Sequence, residues 1–368
     1  MHAHTDKSLY SAIDLLRFPM IAAVVLIHCN FLQYLDTQNF DIAAFRMGYG
    51  IFKTYMLDLC VPAFFAISGF MYFRDGAAVA APLFVDKARR RWHSLVVPYL
   101  LWNVAGLAVF TAKRFLLDDS TSMHGNFDFS PAQIAAGFFM VPGGPYPYDF
   151  PLWYVRNLIL ITMVWPCIPM LSLMLRHCKA ATPVAFAIMA LMAKDIDTLH
   201  LTESLTYFSF GAWLSIYGRP LLTRRRALPA AGVYIALAAA HMMWFPQGGA
   251  AAGLLYFVIC AAGITLAIQT AGIMARSGMR IPRTLASSTF FVYAFHGLFC
   301  AMVCKTVIQK IAPSDSILCV ADAIIIYTIV AGISLAAYFA ALRIAPRAVG
   351  VLCGTAARRR CQPSAKTR

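Results

Sequence analysis

Charged side chains are scarce in this sequence. Asp, Glu, Lys and Arg make up 13% of the 368 residues, well below the roughly 25% of an ordinary soluble domain. A water-facing surface cannot be built from so little. Acidic residues are scarcer still, 16 against 31 basic ones. No cleavable signal peptide is expected, because the start is polar, the first apolar run holds Arg17 and Pro19, and no small-residue cleavage site follows. The ten cysteines form no CxxC pair and have no zinc spacing. Cys29, Cys60, Cys167, Cys260, Cys300, Cys304 and Cys319 fall within or beside apolar runs, so we read them as buried small hydrophobes and expect no metal site. No internal repeat is visible, which weighs against transporters built from two similar halves.

What the chain does have is apolar residues, 60% of the total, arranged in repeated blocks long enough to cross hydrocarbon, about 20 residues each. The expected fold is all-α, a polytopic transmembrane helix bundle. Ten spans are predicted, near 13–33, 51–73, 93–112, 152–175, 180–195, 202–218, 227–245, 250–272, 286–309 and 316–343. The fifth and sixth are short or polar at their ends. The net charge of +15 comes in short bursts between apolar blocks. It forms no basic stripe interleaved with aromatics, so nucleic acid is not an expected partner.

The bursts alternate. Connecting segments on one side hold Lys7, then Arg74, Lys87, Arg89, Arg90 and Arg91, then Arg176 and Lys179, then Arg219 and Arg224 to Arg226. Arg276, Arg280 and Arg283 follow, then the tail from Arg343 onward. The other side holds Arg46, Lys53, Lys113, Arg114, Lys194, Lys305 and Lys310. This is the positive-inside pattern of an even span count with both termini cytoplasmic. Residues 1–12 are then a cytoplasmic lead, 13–343 the transmembrane domain and 344–368 a basic cytoplasmic tail that meets anionic lipid. The outer segment at 113–151 contains Val141-Pro-Gly-Gly-Pro-Tyr-Pro-Tyr148, a turn-rich stretch that is not regular helix. It reads equally as a cap over a cavity mouth or as a plain surface loop.

Ionisable groups at membrane depth are costly and call for an explanation. Arg17 and His28 lie eleven positions apart in the first span. At about 100° per residue they share one helix face, about 16 Å apart along the axis. Asp14 is placed to pair with Arg17. Arg17 reads as a snorkelling anchor or as a binding cation. His28 reads as a satisfied bundle imidazole or as a general base, since it exchanges a proton near neutral pH. Arg156, just after Trp153 at the outer start of the fourth span, is either a headgroup anchor or a binder of a polar acceptor. His296 lies about halfway along the ninth span and is expected to face the bundle. Ser68-Gly69 lets backbones approach closely, and packing alone would explain it. Arg90 and Arg91, beside a span entrance, could grip an anionic cofactor, although by themselves they read more simply as ordinary positive-inside charge.

Taken together, these residues resemble the acyltransferase 3 family of bacterial integral membrane acyltransferases. Asp14-x-x-Arg17 followed by ten residues and His28 is similar to that family's opening motif. Phe64-Phe-Ala-Ile-Ser-Gly-Phe70 resembles its second-span motif. Lys87 to Tyr99 with Leu100-Leu-Trp-Asn103 resembles its basic loop leading into Pro-Tyr, and Pro151–Leu158 and Phe290–His296 resemble its later motifs. The resemblance runs from about residue 11 to residue 343. Many members carry Arg-x-x-Arg before Pro-Tyr, where this chain reads Arg91-Trp-His-Ser94. Arg90 and Arg91 are therefore the candidates for that role.

The resemblance implies O-acyl transfer, commonly of acetyl, from cytoplasmic acetyl-CoA to a hydroxyl of a cell-envelope glycan or lipid-linked saccharide, in the bacterial cytoplasmic (inner) membrane. Acyl-CoA would be a co-substrate, with no permanently bound cofactor. The expected site residues are His28, Arg17 and His296 for catalysis. Arg90, Arg91 and Ser68 are expected on the donor, and Arg156 and Trp153 on the acceptor. A transporter or exporter of a polysaccharide or small polar molecule, using the same His and Arg residues, is the competing expectation.

Overall fold

The computed structural model describes residues 2–29, 40–74, 76, 81–116, 129–141, 144, 146–164, 167–223, 227–245, 248–311, 313 and 315–355. Within them every regular element is helical. In chain order the α-helices are α1 (His2–His28), α2 (Phe40–Phe52), α3 (Cys60–Tyr72), α4 (Ala81–Arg91), α5 (Val97–Leu116), α6 (Pro131–Ala136), α7 (Trp153–Met163), α8 (Cys167–Cys178) and α9 (Ala181–Met192). They continue as α10 (Leu201–Ile216), α11 (Arg219–Thr223), α12 (Ala227–Trp244), α13 (Ala250–Arg276), α14 (Arg283–Phe295), α15 (Cys300–Ile311), α16 (Ser316–Ile344) and α17 (Pro346–Leu352). Wide π-helical turns at Lys53–Leu57 and Trp92–Val96 run directly from α2 and into α5. Tight 3-10 turns at Phe150–Leu152 and His296–Leu298 open α7 and close α14.

Among the described residues, six stretches are long and apolar enough to span a membrane. The count rises to eight if Phe150–Met163 with Cys167–Cys178, and Arg283–Leu298 with Cys300–Ile311, each count as one span. Each of the ten predicted segments contains helix among its described residues, but α9 and α10, with 12 and 16 residues, are shorter than the roughly 20 residues a straight crossing needs. Their polar or short ends were already visible in the sequence. The first span was expected to run to residue 33, and the part beyond Cys29 lies outside the described residues. The apolar stretch that holds the second predicted span begins at Ile42, not at the residue 51 expected from the sequence, and it contains Lys53.

The faces of the long helices suit hydrocarbon. On α16, Cys319, Asp322, Ile326, Val330, Ser334 and Tyr338 are buried, a stripe at helical spacing. Ile324, Ile325, Ile329 and Ile333 are exposed on the other faces. A helix that is apolar all round belongs in a protein interior or in lipid.

The chain forms two compact units. Unit 1 contains residues 1–27, 48–79 and 165–287, and unit 2 contains 28–47, 80–164 and 288–368. Unit 1 is built on the crossing of α3 and α10, where both helices present small residues. A Cβ on Gly69 would lie 1.9 Å from the Phe208 carbonyl oxygen, and one on Gly211 would lie 1.7 Å from that of Ala66. Only glycine permits such an approach. At the Lys53–Leu57 turn, Lys53 Nζ reaches both oxygens of Asp58 at 2.7 and 2.9 Å. Tyr256 donates to the Thr54 carbonyl at 3.0 Å and Tyr234 to that of Tyr55. Backbone groups released by the wide turn are thus satisfied within the protein, as lipid requires.

In unit 2, α17 folds against α5, and Trp102 Nε1 donates to the Leu352 carbonyl at 3.1 Å. Phe110, Val141 and Tyr148 form a buried cluster backed by Leu107, Phe129, Ile134 and Phe138. The part of the Pro/Gly/aromatic stretch that is described therefore packs inward on α5.

Candidate functional site

Unit 2 contains a turn, Asp149-Phe150-Pro151, that lies against side chains singled out from the sequence. Its sequence explains its shape, because Pro151 in the first turn of a helix needs no amide partner there. The Asp149 amide donates to Asn103 Oδ1 at 3.2 Å, and the Leu152 amide donates to the Asp149 carbonyl at 2.9 Å. Asn103 is itself oriented by its Nδ2, which donates to the Tyr99 carbonyl at 2.9 Å. Tyr293 of α14 donates to the Pro151 carbonyl. Gly106 of α5 leaves room for the turn, since a Cβ there would meet the Asp149 amide nitrogen at 2.8 Å. Two helices, α5 and α14, therefore fix one tripeptide.

His28 meets this turn from the end of α1. Its ring centroid lies 4.8 Å from that of Phe150, edge to face, and 5.3 Å from that of His296. His296 is fully buried in the tight turn between α14 and α15, where the helix path bends by 57°. Its Nδ1 lies 3.0 Å from the Val292 carbonyl oxygen. A carbonyl oxygen only accepts, so Nδ1 carries the hydrogen and Nε2 is left as the acceptor nitrogen of the neutral ring. Nε2 is buried and has no hydrogen-bond partner among the described residues. The two histidines singled out from sequence are thus brought together.

Arg156 is also buried, 1% exposed. Its Nη1 donates to the Phe139 carbonyl at 2.7 Å and its Nε to Asn157 Oδ1 at 3.0 Å. The guanidinium thereby ties the 129–141 segment to α7. Trp153 is half-buried at the start of the same helix. Arg90 is exposed and Arg91 half-buried at the end of α4, and Arg90 Nε reaches the Asp86 carbonyl at 3.3 Å.

Arg17 and Ser68 belong to unit 1. Arg17 pairs with Asp14 at 3.0 Å, as the spacing predicts, and is 38% exposed. Arg17 and His28 are carried on one helix. Ser68 is half-buried on α3 beside Gly69, whose close approach to α10 accounts for the small residues there.

Asp149 was not singled out from sequence, where it was one acidic residue of an outer segment. It is fully buried, and neither carboxylate oxygen has a hydrogen-bond partner among the described residues. Its Oδ1 occupies the place of a side chain at residue 297, since a Cβ on Gly297 would lie 2.5 Å away. Burial pushes the Asp149 carboxyl well above the usual carboxylate range. Asp322 of α16 is a second buried carboxyl without a hydrogen-bond partner among the described residues. Sequence could have flagged it as a lone carboxyl inside a 29-residue apolar helix. Among the described residues the cysteines are free thiols, six of them buried.

The family model described as an acyltransferase domain matches residues 10–343. This chain belongs to the acyltransferase 3 family. As a member it is similar to the succinoglycan biosynthesis protein ExoH of Rhizobium meliloti (strain 1021), with 24% identity over 242 residues. That alignment covers 63% of this chain and 61% of the relative. The chain thus matches about three fifths of the curated relative's length. No solved structure matches this acyltransferase 3 member.

Proposed function

We propose that this chain is an integral membrane O-acyltransferase that moves an acyl group, acetyl in the simplest case, from cytoplasmic acyl-CoA to a hydroxyl of a cell-envelope saccharide. The observation that carries the reading is the meeting of His28 and His296, ring centroids 5.3 Å apart, on a turn held by α5 and α14. Family membership and a relative named for polysaccharide biosynthesis support the reaction class and the acceptor class.

Arg90 and Arg91 neutralise the phosphates of the donor; the sequence motifs assign Arg17 and Ser68 to the same reaction. The acyl-pantetheine arm is long enough to span the roughly 16 Å that separates Arg17 from His28 along a helix axis. His28 removes the proton of the acceptor hydroxyl, or carries the acyl group in transit. The oxygen then attacks the thioester carbonyl and the CoA thiolate leaves. His296, whose Nε2 is an acceptor, orients the acceptor hydroxyl. Trp153 and Arg156 shape the acceptor side, Arg156 through its hold on the 129–141 segment. The same reading has ten spans in the bacterial inner membrane, both termini cytoplasmic, 13–343 as the catalytic domain and 344–368 as a basic tail. It is supported by the alternation of basic segments.

The test is mass spectrometry of envelope glycans from cells with the wild-type gene, without it, and with His28→Ala. We expect an acetyl-sized mass on the glycan with wild type alone. A His28→Ala protein that accumulates in the membrane and acylates at the wild-type rate would remove His28 from the chemistry.

A further inference from the structure

Acyl transfer passes through a tetrahedral intermediate, and its negative oxygen needs a donor already in place. Two side chains in unit 2 that could donate already give hydrogens to protein acceptors. Arg156 gives its Nε and one Nη1 hydrogen to Asn157 and the Phe139 carbonyl, and His296 gives its Nδ1 hydrogen to Val292. Asp149 differs from both. Its backbone is pinned by Asn103 and Leu152, its Oδ1 packs on Gly297 beside His296, and neither oxygen has a hydrogen-bond partner among the described residues. A carboxyl sealed from water without a partner is far less costly as the neutral acid, and burial raises its proton affinity in that sense. A neutral carboxylic acid is a hydrogen-bond donor.

We propose that Asp149 is a catalytic donor whose O–H binds the thioester carbonyl oxygen while His28 takes the proton of the acceptor hydroxyl. This role rests on the acyl-transfer reading above and adds to it the group that holds the oxyanion. As the new C–O bond forms, the carbonyl electron pair moves onto oxygen and is held by the Asp149 O–H. The pair returns as the C–S bond breaks, and the departing CoA thiolate takes up the proton that His28 removed. Asp149 keeps its own proton throughout. The titratable and charged groups around it are Tyr99 from α5, Tyr293 and His296 from α14 and the turn after it, and Cys300 from α15. Among the described residues these are joined by Tyr148 on its own segment, His28 across Phe150 and Arg156 from α7. Arg156 carries a permanent charge among them, and it is bonded to Phe139 and Asn157.

The experiment measures transfer of labelled acetyl from acetyl-CoA to extracted envelope polysaccharide, together with CoA release, by purified protein from about pH 5 to about pH 10. If Asp149 must stay protonated, wild-type kcat falls on the alkaline side. Asp149→Asn keeps an N–H donor, so its kcat should stay within about tenfold of wild type and its alkaline fall should vanish. Asp149→Ala should lose about 100- to 1,000-fold in kcat, with KM for acetyl-CoA little changed. Wild-type kcat in Asp149→Ala, or an unaltered alkaline fall in Asp149→Asn, overturns the role of Asp149 alone. If Asp149→Ala does not survive purification, the Asp149→Asn profile decides by itself. A wild-type protein that neither releases CoA nor transfers label overturns the acyl-transfer reading and this role with it.

Discussion

His28 sits on the last turn of α1, half-buried, with Phe150 across one edge of its ring and His296 beside it. General-base catalysis contributes about 10²- to 10⁴-fold, so His28→Ala should lower kcat by that factor in the labelled-acetyl assay. Its melting temperature in detergent should change little. The helical phase of Arg17 and His28 was legible because 3.6-residue periodicity needs nothing beyond the sequence. The burial of Asp149 was not legible, because nothing local to a loop residue records which helices close over it. Its titration has a stability consequence. The folded state holds this proton more tightly than the unfolded chain, whose carboxyl titrates near ~4. The associated stability is therefore full below that value and declines as pH rises through the raised native value. Thermal melts of the wild type should fall on the alkaline side more steeply than those of Asp149→Asn.

The closest contacts are backbone to backbone. Gly211 and Gly69 bring α3 and α10 together so tightly that a methyl group at either would overlap a carbonyl of the other helix. Gly211→Ala should cost about 1–3 kcal/mol through overpacking, read as a lowered melting temperature in detergent. The Ser68-Gly69 pattern made this packing legible, although its partner helix was not. Gly297 makes a contact of another kind, since a methyl group there would press on Asp149 Oδ1 and on the Pro151 ring. Gly297→Ala should depress acyl transfer more than it depresses stability, because the turn under His28 would have to shift. At the start of α10, Asp197 accepts from the Leu201 and Thr202 amides at 3.0 and 2.7 Å. Burial pushes its carboxyl up, but bonds from Thr202 and Leu201 outweigh this and hold it below the usual range. That contribution is present above the unfolded value and is lost as pH falls through the native one. Asp197→Ala should cost about 0.5–2 kcal/mol, as loss of a helix cap does.

For the whole molecule, the helical character of the described residues and the approximate place of most apolar helices were legible from hydropathy and charge, but the start of the second apolar stretch at Ile42 was not. The span count was not fixed by those signals. Helices of 12 and 16 residues such as α9 and α10 owe their place to packing with neighbours as much as to their own length. The division of the chain into two units from interleaved segments has no sequence signature, since each unit is assembled from stretches far apart in the chain. Ten spans with cytoplasmic termini make a direct prediction. Single cysteines placed at Lys113 and Asp195 in a background without native cysteines should react with an impermeant maleimide from outside. Cysteines at Arg90 and Arg280 should react once the membrane is opened. Outside labelling of Arg90 in intact cells would reverse the orientation.

The wide turn at Lys53–Leu57 has a further consequence for how this helix tolerates shortening. The Asp58 amide bonds to the Lys53 carbonyl five residues back, at 2.8 Å, where an α-helix would bond four back. Removing Met56, which points outward at 58% exposure, would restore ordinary pitch without rotating the residues that follow. Lys53 and Asp58 would become neighbours at i and i+4, still able to pair. The same one-residue deletion at Phe65, in regular helix, would turn everything downstream by about 100° and misalign the α3 face against α10. The first shortened protein should therefore purify as a monodisperse species and the second should not.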